Sequence, residues 1–524
     1  MLRVDPTDKA KLIDPLFAPA SRKFWVGTSI LLAVFAWGLF MYIRQLILGL
    51  GETGMDRPTY WGVYMVNFIF FIGISHAGTL ISAILRVTGA EWRRPITRVA
   101  EAVTAFALIV GTLQIIIDMG RPERLLFAII YGRVQSPILW DIISVTLYFL
   151  GSLTYLYLPL IPDAALLRDN CPDDAPAWRR KLYTALALGW RGNREQWVRL
   201  EKAIAAMAIF IIPVAISVHS IISWILATTV QPGWHSTIFG PYFVVGAIFS
   251  GIGALFIAMT GVRKSLGLEN YMRPLQYRNL SALFITMSAI WFYFTFAEHL
   301  GIAAGQQVDE FPILASKLWG EYALSFWMMI LLMTVSFWVL VVPGLVPDRA
   351  KKNLIFRPHF AWISAGLACA AFLALNISSV TPAFASIAIG DINLRSALWG
   401  LIIISLIGAG LGTALWFKKR PVTASVFASV LVVVGMWLER WNIIVPTMTH
   451  PRLVPFTVYH PTVTEFAITA GSLALFVLLF LGFFRLFPAI SIWEVAEGRV
   501  IEGAQSKISI PQPESNDNWM RTEN

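Results

Sequence analysis

Long apolar runs without charge constrain this chain more than any other feature. Phe24–Tyr42, Ala203–Ser217 and Leu473–Phe484 are examples, and a helix of about 20 apolar residues is long enough to cross a bilayer. The composition agrees, with 57% of the 524 residues hydrophobic, 14% charged and a mean hydropathy of +0.66. Soluble domains carry about 25% charged residues, so an ordinary soluble enzyme is excluded.

Apolar runs bounded by charge or by Pro/Gly clusters predict twelve helices, near 24–50, 61–86, 98–118, 137–160, 200–229, 240–261, 278–304, 319–343, 358–380, 396–417, 422–446 and 463–487. The fold class is therefore all-α, a polytopic membrane protein of ten to twelve transmembrane helices. Alternate loops carry the basic residues: Arg86/Arg93/Arg94/Arg98, Arg168 to Arg199, Arg263/Lys264/Arg273/Arg278, Arg349/Lys351/Lys352/Arg357 and Lys418/Lys419/Arg420. About 32 of the 41 lysines and arginines fall on that one side, which the positive-inside rule makes cytoplasmic, together with both termini. The net charge of +10 thus reports topology and does not imply a nucleic-acid partner. Arg121, Arg124 and Arg133 are the exception, crowding an outer loop. Met1–Arg22 lacks an apolar stretch ending in a cleavage site, so the first span is expected to serve as the insertion signal. An N-terminal segment 1–23 and a polar, mobile tail 488–524 are expected on the cytoplasmic side.

Cys171 and Cys369 show no CxxC or CxxCH pattern, so no metal site, cysteine-held iron–sulfur cluster or attached haem is expected in this chain. The residues that break the apolar runs carry the chemistry, because an ionisable group inside a span costs about 2.5–3.5 kcal/mol on insertion scales. His76 sits mid-span in the second helix. Gln114 and Asp118 lie one turn apart near the outer end of the third. Asp141, Ser144 and Tyr148 share a face of the fourth, and His219, Ser220 and Ser223 lie on the fifth. This convergence predicts one polar pocket between midplane and outer face, where His76, Asp118, Asp141 and His219 accept protons, supported by Gln114, Arg121, Tyr148 and Ser223. Arg121 and Arg124 are expected to hold a carboxylate ionised or to attract an anionic partner. Protons are expected to leave outward.

A second cluster, Glu298, His299, Glu439 and Arg440, reads as a candidate proton route, a vestigial copy of the first pocket or an interhelical ion pair. Glu439 and Arg440 point about 100° apart on their helix and are not expected to neutralise each other. The outer loops Gln231–Ser236 and His450–His460 read as a docking face for another protein. Two small-residue helices, with Gly73/Gly78/Ser82 and Gly246/Gly251/Gly253, suggest a weak repeat of 61–229 in 240–446. Two other functions fit parts of the pattern. A haem b anchor would use His76 and His219 as axial ligands, leaving His299 without a mate. A secondary transporter would suit twelve spans, although only Pro213 interrupts a helix and no matched break appears in the other half.

Gly73-Ile-Ser-His-Ala-Gly-Thr79, Asp118-Met-Gly-Arg-Pro122, Ser136-Pro-Ile-Leu-Trp-Asp141 and Met436-Trp-Leu-Glu-Arg-Trp-Asn-Ile-Ile-Val-Pro446 resemble the NrfD/PsrC (polysulfide reductase) membrane subunits. The last block is most similar to the ActC-type quinol-oxidising subunit of bacterial alternative complex III. The resemblance covers residues 20–490. It implies two four-helix bundles, 61–229 holding the quinol site and 240–446, flanked by helices 24–50 and 463–487; this sequence departs from that pattern of about ten spans by two extra helices, expected within 319–417. It implies a chain in a bacterial inner membrane that binds menaquinol or ubiquinol, holds no haem or cluster of its own, and oxidises quinol near the periplasmic face. It also implies a periplasmic iron–sulfur subunit, a multihaem c-type cytochrome and a homologous membrane subunit as partners. The same architecture serves quinone-reducing subunits of molybdenum reductases, so direction stays open.

Overall fold

A computed structural model describes residues 5–345, 388–389, 392–393, 417 and 420–498. Within them the chain is helical apart from a two-residue strand pair, Ala388–Ile389 with Ile392–Asn393. Ten helices among the described residues are long and apolar enough to span a membrane. They are α1 Arg22–Leu48, α2 Val63–Val87, α3 Thr97–Asp118, α4 Pro137–Tyr157, α5 Arg194–Ala227, α6 Phe239–Ser265, α7 Pro274–Gly305, α8 Ala323–Leu345, α9 Pro421–Thr449 and α10 Val463–Leu486. Each overlies a predicted span. The predicted spans 358–380 and 396–417 lie outside the described residues, but for position 417. The expected break at Pro213 does not occur. α5 runs through it as one 34-residue helix, since a single missing N–H is tolerated where neighbouring helices pack around the site.

Helix starts are fixed by local chemistry. Asn193 accepts from the Gln196 N–H at 3.0 Å and begins α5 before the apolar run does. Thr462 and Glu465 form a capping box at α10. The buried Glu465 carboxylate also accepts from the Gly54 N–H at 2.8 Å and the Tyr459 hydroxyl at 2.5 Å. Tyr459 in turn accepts from the Val63 N–H at 2.9 Å. One carboxylate therefore ties the starts of α2 and α10 together on the Arg-poor face.

α2 packs on α3, α5 and α6; α4 packs on α3 and α5; α6 packs on α7 and α9; and α8 packs on α9. α1 and α10 lie against each other, with α10 touching α2 and α3. Glycines set the close crossings. A Cβ on Gly78 would lie 2.0 Å from the Ala100 carbonyl of α3, and one on Gly38 would lie 2.8 Å from the Gly471 Cα of α10. Gly73 faces Ala247 and Ser250 of α6, while Gly253 faces Ser429 and Val433 of α9. The small residues read as a repeat thus bring different helices together.

The Arg-rich face is held by buried charge. Arg98 and Asp163 pair at 2.7 Å, both almost fully buried. Glu494 pairs with Arg86 and, at 3.2 Å, with Arg93, and accepts from Thr97 at 3.1 Å. This corrects the expectation of a mobile tail from 488 onward. Ala489, Ile490, Ile492 and Trp493 are buried, because these apolar side chains and one acid find a matching basic seat between α2 and α3. Residues beyond 498 lie outside the described ones.

Candidate functional site

His76 of α2 and His219 of α5 meet in the interior. Their rings lie 4.0 Å apart, with His219 Nδ1 at 3.1 Å from His76 Nε2. His76 Nδ1 lies 2.7 Å from the Ile72 carbonyl and Nε2 lies 2.5 Å from the Ala215 carbonyl. Both carbonyls only accept. A neutral imidazole carries one N–H and satisfies one of them, whereas the protonated ring satisfies both. Tyr148 of α4 packs against His76 with its ring tilted, at 5.0 Å between ring centres, and donates to the Ser75 carbonyl at 3.0 Å. All three side chains are fully buried, and His219 Nε2 has no partner. The arrangement can take up a proton and pass it between two rings. It does not fit a haem, because the facing nitrogens are already in hydrogen-bond contact and the other His76 nitrogen faces its own helix. Ser223, one turn beyond His219, donates to the Ser220 carbonyl at 2.7 Å and does not reach the pair.

On the Arg-poor side of the histidines, one carboxylate oxygen each of Asp118, at the end of α3, and Asp141, at the start of α4, is buried without a partner. The sequence placed Gln114 and Asp118 in one pocket with His76, and the structure separates them. Gln114 Nε2 donates to Ser472 of α10 at 2.7 Å, and its oxygen accepts from Asn67 at 3.4 Å. Next to Asp118, the Ile117 carbonyl accepts from Gln45 of α1 at 3.1 Å, and Gln45 accepts from Tyr64 at 2.6 Å. Asp118 is therefore level with Tyr64, about 18 Å along α2 from His76. Helical spacing put Gln114 and Asp118 on one face of α3 but could not show that α1 and α10 fill that side. Arg121 and Arg124 are exposed and form no ion pair with either aspartate.

The second cluster also differs from expectation. Arg440 folds back so that Nη1 lies 2.9 Å from Glu439 Oε2, both fully buried. A long guanidinium arm crosses the angle that separates the two Cβ vectors. Trp291 Nε1 donates to Glu439 Oε1 at 3.0 Å, and the Arg440 guanidinium lies 4.7 Å over Phe243. Because Phe243 packs on His219, the two clusters are neighbours. Glu298 accepts from Ser236, and His299 Nδ1 contacts the Thr295 carbonyl at 2.7 Å. Glu298, His299 and Glu439 line a cavity of about 30 Å³ with Lys317, a residue the sequence reading missed. Nothing in its short helix, Phe311–Leu318, signals that Lys317 turns inward. In the loops expected to dock a partner, Trp234, His450 and Tyr459 are buried, and Trp234 donates to the Ile443 carbonyl at 3.0 Å. Exposed side chains there include His235, Arg452, Leu453, Val454, Phe456, Val458 and His460.

On the other side of α2, an apolar groove of about 1090 Å³ runs between α2, α6, α9 and α10. Lys11, Lys23 and Arg485 stand at its Arg-rich end, and Asn67, Trp437 and Thr469 at its polar upper end. Asn67 donates to Thr469 at 2.8 Å and accepts from Trp437 at 2.9 Å.

Against known proteins, the sequence profile of the family described as polysulphide reductase, NrfD, matches residues 51–383. The chain belongs to the NrfD family. A putative dimethyl sulfoxide reductase membrane subunit of Halobacterium salinarum is 31% identical over 234 residues, 44% of this chain. The chain spans half of that relative's length (50%). An Hdr-like menaquinol oxidoreductase integral membrane subunit of Archaeoglobus fulgidus is 24% identical over 362 residues, covering 67% of this chain and 77% of the relative. The integral membrane subunit of a menaquinone reductase from Nitratidesulfovibrio vulgaris is 28% identical over 149 residues, 28% of this chain and 35% of the relative. All three relatives are named as membrane subunits, and two of the names refer to menaquinol or menaquinone.

Proposed function

We propose that this NrfD-family chain is the quinol-oxidising membrane subunit of a multi-subunit oxidoreductase of the alternative complex III type, in a bacterial inner membrane with its Arg-rich face cytoplasmic. The buried His76–His219 pair carries the reading, since it couples two rings, a carbonyl ready for a second N–H, and a spare Nε2. Quinol gives up two O–H protons and two electrons to become quinone. His76 and His219 receive the protons, with Tyr148 fixing the His76 ring. The electrons pass to an iron–sulfur subunit on the Arg-poor face and onward to a multihaem cytochrome. Asp118 and Asp141, each with a free buried oxygen, guard the outer approach. Glu439, Arg440, Glu298 and His299 form the outward proton route. Menaquinol is the favoured substrate, because two relatives are named for menaquinol or menaquinone. The exposed Arg121, Arg124 and Arg133, with Leu126, Phe127, Tyr131 and Val134 exposed beside them, suit an acidic partner with an apolar centre. The proposed assembly is completed by a homologous membrane subunit.

The apolar groove supports a second placement of the quinol ring, at Asn67, Trp437 and Thr469, with the tail filling the 1090 Å³. Replacing His76 with Phe in the assembled complex separates the two. On the first placement, quinol-driven acceptor reduction falls by about 10²-fold or more, the usual contribution of a proton-transfer group. Unchanged turnover refutes it, and loss in N67L with retention in H76F moves the ring to the groove.

A further inference from the structure

The apolar groove between α2, α6, α9 and α10 is polar only at its two ends, and the ends differ. Along α10 it runs from Thr469 to Arg485, about 24 Å of helix against a hydrocarbon core of about 30 Å. Phe70 and Ile74 of α2, Ala254 and Ile257 of α6, Val433 of α9 and Phe476 of α10 are among its walls. At the Arg-poor end the polar groups satisfy one another. The Asn67 amide donates to Thr469 and to Gln114, Trp437 Nε1 donates to Asn67, and the Thr469 hydroxyl donates to the Glu465 carbonyl at 2.8 Å. Their N–H and O–H groups are thus all committed, and none is left for a ligand.

The Arg-rich end is the opposite case. The helical residues 6–17 border the groove there, with Leu12 and Leu16 buried, and Lys11, Lys23 and Arg485 line it. Arg485 is pinned by donating to the Pro15 carbonyl at 3.0 Å and to the Ala18 carbonyl, which uses two of the five N–H groups of a guanidinium. Behind it, Arg179 donates to the Leu16 carbonyl at 2.9 Å and to the carbonyl of Arg485 itself. None of these four cations pairs with a carboxylate among the described residues, and no described acid lines the groove. Arg86, Arg94 and Arg98 on the same face all have acidic partners. The volume of about 1090 Å³ lies above the roughly 300–1,000 Å³ of a small-molecule pocket. Cations without counter-charge at the foot of a long apolar trough call for a ligand with an anionic head and hydrocarbon chains.

We propose that the groove binds an anionic glycerophospholipid of the Arg-rich leaflet, with its phosphate held by Lys11, Lys23 and Arg485 and its acyl chains laid along α10. A guanidinium matches two phosphate oxygens at once and the ammonium groups act as point charges. The cytoplasmic leaflet, where the Arg-rich face is placed, is the one that carries anionic lipid. The bound lipid joins residues 6–17 to α10 and fills the space that the second placement gives to the quinol tail. The proposal therefore rests on the quinol ring lying at His76.

The test strips the whole complex of lipid in mild detergent and equilibrates it with micelles carrying phosphatidylglycerol or phosphatidylcholine of the same acyl chains. Native mass spectrometry counts the lipid retained. At about fivefold per basic residue near an anionic lipid, three cations give wild type a preference for phosphatidylglycerol of about 10²-fold, and K11Q with K23Q brings it down to about fivefold. Gly261 lines the groove and a Cβ there meets open space, so G261F fills the trough without pushing a helix aside. It is expected to lose the retained phosphatidylglycerol although the cations remain. Equal retention of the two lipids by wild type, wild-type preference in K11Q with K23Q, or wild-type retention in G261F overturns the proposal. So does a wild-type complex that retains no lipid, the result if a partner subunit or the predicted spans outside the described residues fill the groove, and so does displacement of the lipid by added menaquinol. If G261F does not assemble, K11Q with K23Q decides. H76F with unchanged turnover refutes the His76 reading, whereas the lipid counts need no turnover and refute only the occupant of the groove.

Discussion

Replacing Asp163 with Ala tests how the Arg-rich face is held together. Asp163 is fully buried, pairs with Arg98 Nη1 at 2.7 Å and accepts from the Ile492 N–H at 3.3 Å. Arg98 also donates to the Pro159 carbonyl at 3.0 Å, a carbonyl shared with Trp493 Nε1 at 3.0 Å. Removing the carboxylate leaves a guanidinium buried without its counter-charge, which costs about 3–5 kcal/mol. The orphaned Ile492 N–H adds about 1–3 kcal/mol unless the segment lifts into water. Yet burial pushes the Asp163 carboxyl above its ordinary value despite Arg98 and the backbone N–H groups, so the intact pair gains little over apolar packing. Removing both charges, as R98M with D163L, is therefore expected to cost far less than D163A alone. Unfolding free energies in mixed micelles, with proteolysis of the 489–498 segment as a local probe, measure this. A D163A penalty under about 1 kcal/mol, the range of exposed pairs, or a double variant as costly as the single one, refutes the reasoning.

Three further outcomes follow from particular contacts. Gly78→Val drives side-chain atoms into the Ala100 carbonyl and Thr104, so it is expected to cost about 1–3 kcal/mol or more in the same micelle assay, whereas Gly27→Val, with open space around it, costs little. Burial alone would raise the Glu494 carboxyl, but Arg86 and Arg93 hold it below the ordinary glutamate range. Its contribution is complete above the ordinary glutamate pKa and is lost as pH falls through the lower native value; protease sensitivity of 489–498 should rise only there, and in E494Q it should be high at neutral pH as well. Burial brings the Lys317 amine down to about 8, outweighing Glu298 and Glu439. The native state then binds this proton less tightly than the unfolded chain does, so stability grows as pH rises from about 8 to the free lysine value of about 10.4. K317M should flatten that rise, and amine labelling centred near the free value would contradict it.

The spans were legible because twenty apolar residues without charge have few alternatives to a membrane helix, and all ten described helices follow from that rule. Side-chain partners were not legible, because they depend on how helices rotate against one another. His76 and His219 stood out as lone polar residues in apolar runs, but their 3.1 Å contact needs the register between α2 and α5. Gln114 was visible as a polar residue, and the α10 serine it bonds is 358 positions away. The Glu439–Arg440 pair was misjudged because Cβ directions were given more weight than the reach of an arginine. The docked segment after α10 did leave a signal, in Ile490, Ile492 and Trp493 beside Glu494, which was hidden by the polar residues that follow.

The Gly38–Gly471 crossing bears on how the chain is made. α1 is the first described helix to enter the bilayer, and its flat glycine surface finds its counterpart only in the last, more than four hundred residues later. Until then α1 is tied to α2 and α3 only near its Arg-poor end, through Gln45, and the rest of its length rests in lipid, held by its own hydrophobicity. Assembly accordingly closes at the seam between first and last helices, and a bulky residue at either glycine would leave a nearly complete protein open along one edge.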